Sequence, residues 1–168
     1  MTADIRIARL EEWDRVRDLR LRALADAPDA FGSTLERERE YGRPEWLGWI
    51  SGWVGTTNAL FVAEGAGRWL GMAVGSCDEA GGAAHLYGMW VEPEARRGGI
   101  GARLVDAVVA WVAAGTGATM LVLDVSVANR DADRFYRRLG FEATGERHPL
   151  REGSAIDAVV LRRTLQGS

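Results

Sequence analysis

Lysine is absent from this chain of 168 residues, whose 21 basic side chains are all arginine. A Walker-type nucleotide loop, which needs a lysine, is thereby excluded. Otherwise the absence fits the coding bias of a GC-rich genome, in keeping with the abundance of alanine, glycine and valine. Positive charge is in deficit, with 24 acidic residues for a formal net charge of −3. There is no global excess to neutralise a nucleic-acid backbone or an anionic membrane surface, so neither is an expected partner. Cys77 is the only cysteine, which rules out an internal disulfide framework and a cysteine-built zinc site. A reducing cytoplasm is the expected location. Nowhere do 18 apolar residues run together, and residues 1–25 carry charges at Asp4, Arg6, Arg9, Glu11, Glu12, Asp14 and Arg15. Neither a membrane span nor a signal peptide is expected.

With 47% hydrophobic residues, the chain has the composition of one domain, expected to span 1–168. Segments of period 2 and period 3.6 alternate throughout, the pattern of a mixed α/β or α+β fold. A strand at Ile5–Ala8 precedes a helix from Glu11 with Trp13, Val16, Leu19 and Ala23 on one face, ended by Ala27-Pro28-Asp29. A second helix starts near Ser33 or Thr34, breaks at Gly42-Arg43-Pro44, and resumes with Trp46, Trp49, Ile50 and Trp53 on one stripe. That stripe reads as core packing rather than a ligand platform.

Strands at Ala59–Glu64 and Trp69–Ser76 form a hairpin around Gly65-Ala66-Gly67, with a further turn at Asp78–Gly82. Next come a strand at Ala84–Val91, a loop from Pro93 to Gly99, and a helix burying Ile100, Leu104, Ala107, Val108 and Trp111. Gly115-Thr116-Gly117 stops it. Met120–Val127 is a buried strand and Asn129–Leu139 a helix closed by Gly140, with final strands near Phe141–Arg147 and Ile156–Leu161.

One connection carries chemistry. A strand, then Arg96-Arg97-Gly98-Gly99-Ile100-Gly101, then an amphipathic helix is the arrangement a pyrophosphate needs. Small residues let backbone N–H groups approach phosphate oxygens, and the helix N-terminus adds partial positive charge. It is not the dinucleotide fingerprint, because Ala102, Arg103 and Leu104 follow where a third glycine should fall. Arg96, and more weakly the side chain of Arg97, are candidates to pair with phosphate oxygens.

Arg-x-x-Gly-x-Gly at 96–101, directly after Met89-Trp90-Val91-Glu92-Pro93, resembles the coenzyme A signature of the GNAT superfamily of acyl-CoA N-acyltransferases. A second stretch, Asn129-Arg130-Asp131-Ala132-Asp133-Arg134-Phe135-Tyr136-Arg137-Arg138-Leu139-Gly140-Phe141, is similar to that family's Asn-x-x-Ala-x-x-Phe-Tyr-x-x-x-Gly-Phe helix. The resemblance implies a mixed, mostly antiparallel sheet of about six to seven strands with helices on both faces. It also implies acetyl-CoA as co-substrate and a primary amine on a small molecule or peptide as acceptor. Tyr136 would protonate the departing thiolate. Met89, Trp90 and Val91 would border the pantetheine arm, with the N–H of Met89 on the acetyl carbonyl. Asn129 would contact the coenzyme while capping its helix.

His85 occupies the place where some members carry a catalytic glutamate. Strand alternation puts it on a face with Tyr87, Met89 and Val91, and imidazole is suited to take the amine's proton. A structural histidine is the equal alternative. Phe31 and Tyr41 are expected to line the acceptor pocket, with Glu146 a weaker candidate. His148 precedes Pro149 in an expected surface loop and has no partner at metal-ligand spacing, so no metal is expected. Cys77 lacks a matched histidine, so no acyl-cysteine step is expected. A non-catalytic acyl-CoA-binding module is the rival reading. A nucleic-acid role for helix 130–138 is disfavoured by Asp131 and Asp133. The chain's assembly, monomer or homodimer, is left open.

Overall fold

The apolar stripe after Glu11 folds as α1 (Trp13–Asp26), which buries Val16, Leu19, Ala23 and Leu24 and ends at Ala27, one residue before Pro28. The structure, a computed structural model, describes residues 3–78 and 82–165, so the turn expected at Asp78–Gly82 lies mostly outside the described residues. Thr34 caps α2 (Leu35–Arg39), its Oγ1 accepting from the N–H of Arg37. After the break at Gly42, α3 (Arg43–Ser51) begins with Pro44 in its first turn, where a missing N–H costs nothing.

Seven strands form one sheet: β1 (Asp4–Ile7), β2 (Asn58–Gly65), β3 (Arg68–Cys77), β4 (Ala83–Val91), β5 (Met120–Ser126), β6 (Glu142–Pro149) and β7 (Asp157–Thr164). Their spatial order is β1-β2-β3-β4-β5-β7-β6. Every neighbouring pair is antiparallel except β4 and β5. The β2–β3 hairpin turns through Ala66 and Gly67, both at positive φ (52° and 74°), the geometry that matches strand twist.

Helices cover both faces, as expected. On one, α4 (Ile100–Gly115) and α5 (Arg130–Arg138) pack against Leu86, Val91, Leu121 and Leu123. On the other, α1 and α3 cover Leu60, Val62, Met72 and Trp90. Each fully buried aliphatic side chain contributes roughly 1.5–3 kcal/mol. No helix among the described residues is long and apolar enough to cross a membrane.

Two features of β4 open the sheet at its centre. Its pairing with β5 lasts only from Ala83–Met120 to His85–Val122, whereas β5 pairs with β7 along its whole length. Beyond His85 the two parallel strands part. Against β3, Tyr87 pairs with Val74 and Trp90 with Met72, so two residues of β4 oppose one of β3. This is a β-bulge, and Gly88 at φ 58° supplies its left-handed residue. One extra residue reverses the alternation. His85 and Tyr87 therefore share one face, but Met89 and Val91 pack on the other with α4, contrary to the single-face expectation.

Candidate active site

The parting of β4 and β5 opens a cleft of about 480 Å³. Its floor is Tyr87, Gly88 and Met89 of β4 with Asp124, Val125 and Ser126 of β5; its far wall holds Asn129 and Tyr136. The roof is aromatic, from Phe31, Tyr41, Trp49 and Trp53. Phe31 and Tyr41, expected to line an acceptor pocket, are both among the cleft residues. The tryptophan stripe divides: Trp46 is core, 1% exposed, while Trp49 and Trp53 line the cleft. Only three of the four residues lie within α3, because the helix stops at Ser51 and Trp53 follows in a turn.

The 96–101 connection ends in an uncapped helix. Gly99, the N-cap of α4, has φ 80° and no side chain to offer its first turn. The N–H groups of Gly99, Ile100, Gly101 and Ala102 donate to no acceptor among the described residues. At Gly99 an added β-carbon would meet nothing within 4 Å, so the loop's outer side is open. Four unpartnered amides at an open, positively polarised helix end fit a pyrophosphate. Gly101 has another reason to be glycine. A β-carbon there would lie 3.0 Å from the Met89 methyl and 3.1 Å from the Phe135 ring, so close packing constrains the position.

The two loop arginines exchange their expected availability. Arg96 is tied down: its Nε donates to the Val91 carbonyl at 2.9 Å and its Nη2 pairs with Asp26. Asp26 also accepts from Trp90 Nε1 at 2.8 Å, and Trp90 is buried in the core beneath α1, outside the cleft lining. Arg97, at φ 66°, has an exposed side chain with no hydrogen-bond partner among the described residues.

Tyr136 is 7% exposed, edge-on to both Phe135 and Phe141, yet its hydroxyl makes no hydrogen bond among the described residues. Burial pushes its phenol well above 10, so the proton stays on the oxygen. Asn129 caps α5, its Oδ1 accepting from the N–H of Ala132 at 3.1 Å.

His85 is not among the cleft residues. Its ring lies parallel to that of Tyr87, 5.7 Å between centroids, two residues earlier on β4, where that strand still pairs with β5. The bulge separates it from Met89. Glu146 is exposed and also outside the cleft lining. The histidine that does line the cleft is His148, on β6 rather than in a surface loop. Its Nε2 lies 3.3 Å from Asp124 Oδ2 and its Nδ1 2.9 Å from the Pro149 carbonyl. Two acceptors, the Pro149 carbonyl first and the Asp124 carboxylate second, raise its pKa above the usual histidine value.

Sequence reasoning also passed over Arg20 and Glu38. Arg20 Nε donates to Glu38 Oε2 at 2.9 Å and Nη2 to Oε1 at 2.8 Å, with exposures of only 7% and 1%. An arginine four residues after Val16 and three before Ala23, on the buried face of α1, was the available signal. Among the described residues no group of three or more His, Cys, Asp or Glu side chains is arranged to hold a metal ion.

A parallel strand pair that parts beside an uncapped, glycine-led helix defines the class. The chain belongs to the acetyltransferase (GNAT) family, whose model matches residues 13–141. An uncharacterized N-acetyltransferase of Methanocaldococcus jannaschii is 30% identical over 109 residues, covering 61% of this chain and 48% of the relative. A second from that organism is 35% identical over 89 residues, 53% of this chain and 56% of the relative. This chain thus spans about half the length of the curated relatives it matches. Among solved structures, a GNAT-family acetyltransferase of Streptococcus pneumoniae superposes with a TM-score of 0.81 at 16% identity, covering 98% and 99% of the two chains. A Salmonella typhimurium protein solved with its cofactor acetyl-CoA gives 0.78 at 17% identity, covering 100% and 96%. At such identities the likeness is one of fold.

Proposed function

We propose that this protein moves an acetyl group directly from acetyl-CoA to a primary amine of a small molecule or peptide. The observation that carries the reading is the meeting, in one cleft, of the unpaired edge of β4, the unbonded hydroxyl of Tyr136 and the His148–Asp124 pair. The nearby amides of Gly99 to Ala102 hold the pyrophosphate, and Arg97 adds a phosphate-directed charge. Acetyl-CoA supplies the thioester whose C–S bond is broken as the new C–N bond forms.

Each protein group then has a task suited to its chemistry. The N–H of Met89 polarises the acetyl carbonyl. Tyr136 gives its proton to the departing sulfur; a phenol kept protonated by burial is ready to donate at any neutral pH. His148, held by Asp124, takes the proton lost by the amine, in place of His85, whose ring stacks behind Tyr87. Asn129 serves both as helix cap and as a contact for the coenzyme arm. Cys77 is buried and outside the cleft lining, so no acyl-enzyme enters the scheme.

Incubation with acetyl-CoA and a broad amine panel tests this reading, with free thiol and acetylated amine both measured. Stoichiometric release of the two supports it. Coenzyme binding without product from any amine would favour a non-catalytic acyl-CoA-binding module.

A further inference from the structure

Arg20 has a third nitrogen that Glu38 does not use. Its Nε and Nη2 are both committed to the Glu38 carboxylate, while Nη1 has no hydrogen-bond partner among the described residues. The side chain is more than nine-tenths buried and lines the cleft. Nη1 lies 3.9 Å from where a β-carbon on Gly88 would stand, so it points at the bulge itself. The guanidinium lies over the Phe31 ring (4.8 Å) and near the Trp49 ring (5.5 Å), which together with Glu38 fix its direction and leave Nη1 open to the cleft.

A charged donor fixed in an apolar-walled cleft recognises an acceptor oxygen, and a carboxylate best of all. Arg20 and Glu38 cancel in charge, but Arg37 also lines the cleft and pairs with no carboxylate among the described residues, so the Arg20 side of the cleft is net positive. The opposite side carries Asp124 paired with His148, the group assigned to receive the amine's proton. Gly88 and Met89 are consecutive residues of β4 and both line the cleft, so a carboxylate received beside Gly88 and an amine directed at the carbonyl over Met89 belong to the same small molecule.

We propose that the acceptor is an α-amino acid with an apolar side chain, its carboxylate received by Nη1 of Arg20 and its side chain by Phe31, Trp49 and Trp53. This names the substrate class of the proposed transferase and rests on that activity for the direction of the amine. A neutral amide in place of the acid leaves the guanidinium without an anionic partner, and a site built to bond a polar group rejects the analogue that lacks it.

The test is binding, measured apart from turnover. Phenylalanine, leucine and methionine, each with its amide, are titrated calorimetrically into the protein saturated with coenzyme A. The acid should bind at least about 30-fold more tightly than the amide, a charge-assisted hydrogen bond's worth. Arg20→Met alone strands a buried Glu38, so the informative variant is the double one, Arg20→Met with Glu38→Met, which removes both charges at similar volume. With its fold verified by thermal melting, it should bind acid and amide within about threefold of each other. Equal binding of acid and amide by the parent protein, an acid preference that survives in the double variant, or no binding by any of the six compounds overturns the proposal. Acetylation of simple amines regardless of a carboxylate would leave the transferase activity standing while removing this substrate class.

Discussion

His148 Nε2 lies 3.3 Å from Asp124 Oδ2, while the other ring nitrogen of His148 faces the Pro149 carbonyl at 2.9 Å. Both nitrogens meet acceptors, a situation only the doubly protonated ring satisfies. The pKa of His148 is raised accordingly.

A base must be neutral to accept a proton, so kcat/KM should rise with pH through a midpoint above 6.5, the ordinary histidine value. His148→Gln should abolish that acidic limb, Asp124→Asn should move it to lower pH, and His85→Gln should leave it in place. For stability the same shift works the other way. The folded-state pKa exceeds the unfolded one, so the stabilisation is complete below about 6.5 and is lost as pH rises through the folded value. A limb that persists in His148→Gln would return the role to solvent or another group.

Tyr136→Phe deletes one hydroxyl from a ring wedged between Phe135 and Phe141. Acetyl-CoA affinity should survive while kcat falls roughly 10–10³-fold. Because burial holds the phenol's pKa up, no alkaline limb from this residue should enter the profile at any pH below about 10. Unchanged kcat would take Tyr136 out of the mechanism.

The two loop arginines should fail differently. Arg96 bonds to the Val91 carbonyl and Asp26, so Arg96→Gln should lower the melting temperature by about 2–4 °C, the effect of losing on the order of 1 kcal/mol. Arg97→Gln should leave the melt alone and weaken acetyl-CoA binding about fivefold to tenfold, with a loss that shrinks as salt is added. If Arg96→Gln carried the larger salt-dependent affinity loss, their roles would be reversed.

Helix faces and the hairpin at Ala66-Gly67 follow from local periodicity and turn chemistry, which are written in consecutive residues, and the stretches 96–101 and 129–141 were legible through their resemblance to the family's motifs. Gly88 shows where that legibility stops. Strand alternation put His85 and Met89 on one face, but whether a glycine in a strand makes a bulge depends on the partner strand, and the bulge reversed the parity. His148 became a cleft residue only through the pairing of β6 with β7 and β7 with β5, contacts remote in sequence. The close packing at Gly101 was not legible either, since Phe135, its near neighbour, comes from the next helix. Arg20 was hidden in plain periodicity: its partner Glu38 lies on a helix too short to display a pattern of its own.

The central claim, that acetyl-CoA is held by the start of α4 for use in the β4–β5 cleft, is tested most directly by amide hydrogen exchange with and without the coenzyme. Gly99, Ile100, Gly101 and Ala102 have no acceptors among the described residues and should exchange rapidly in the free protein. Bound acetyl-CoA should slow exchange over these four by at least about tenfold, together with amides of β4 beyond His85. Tight binding that leaves these amides unprotected, or protection confined to another surface, would contradict the account.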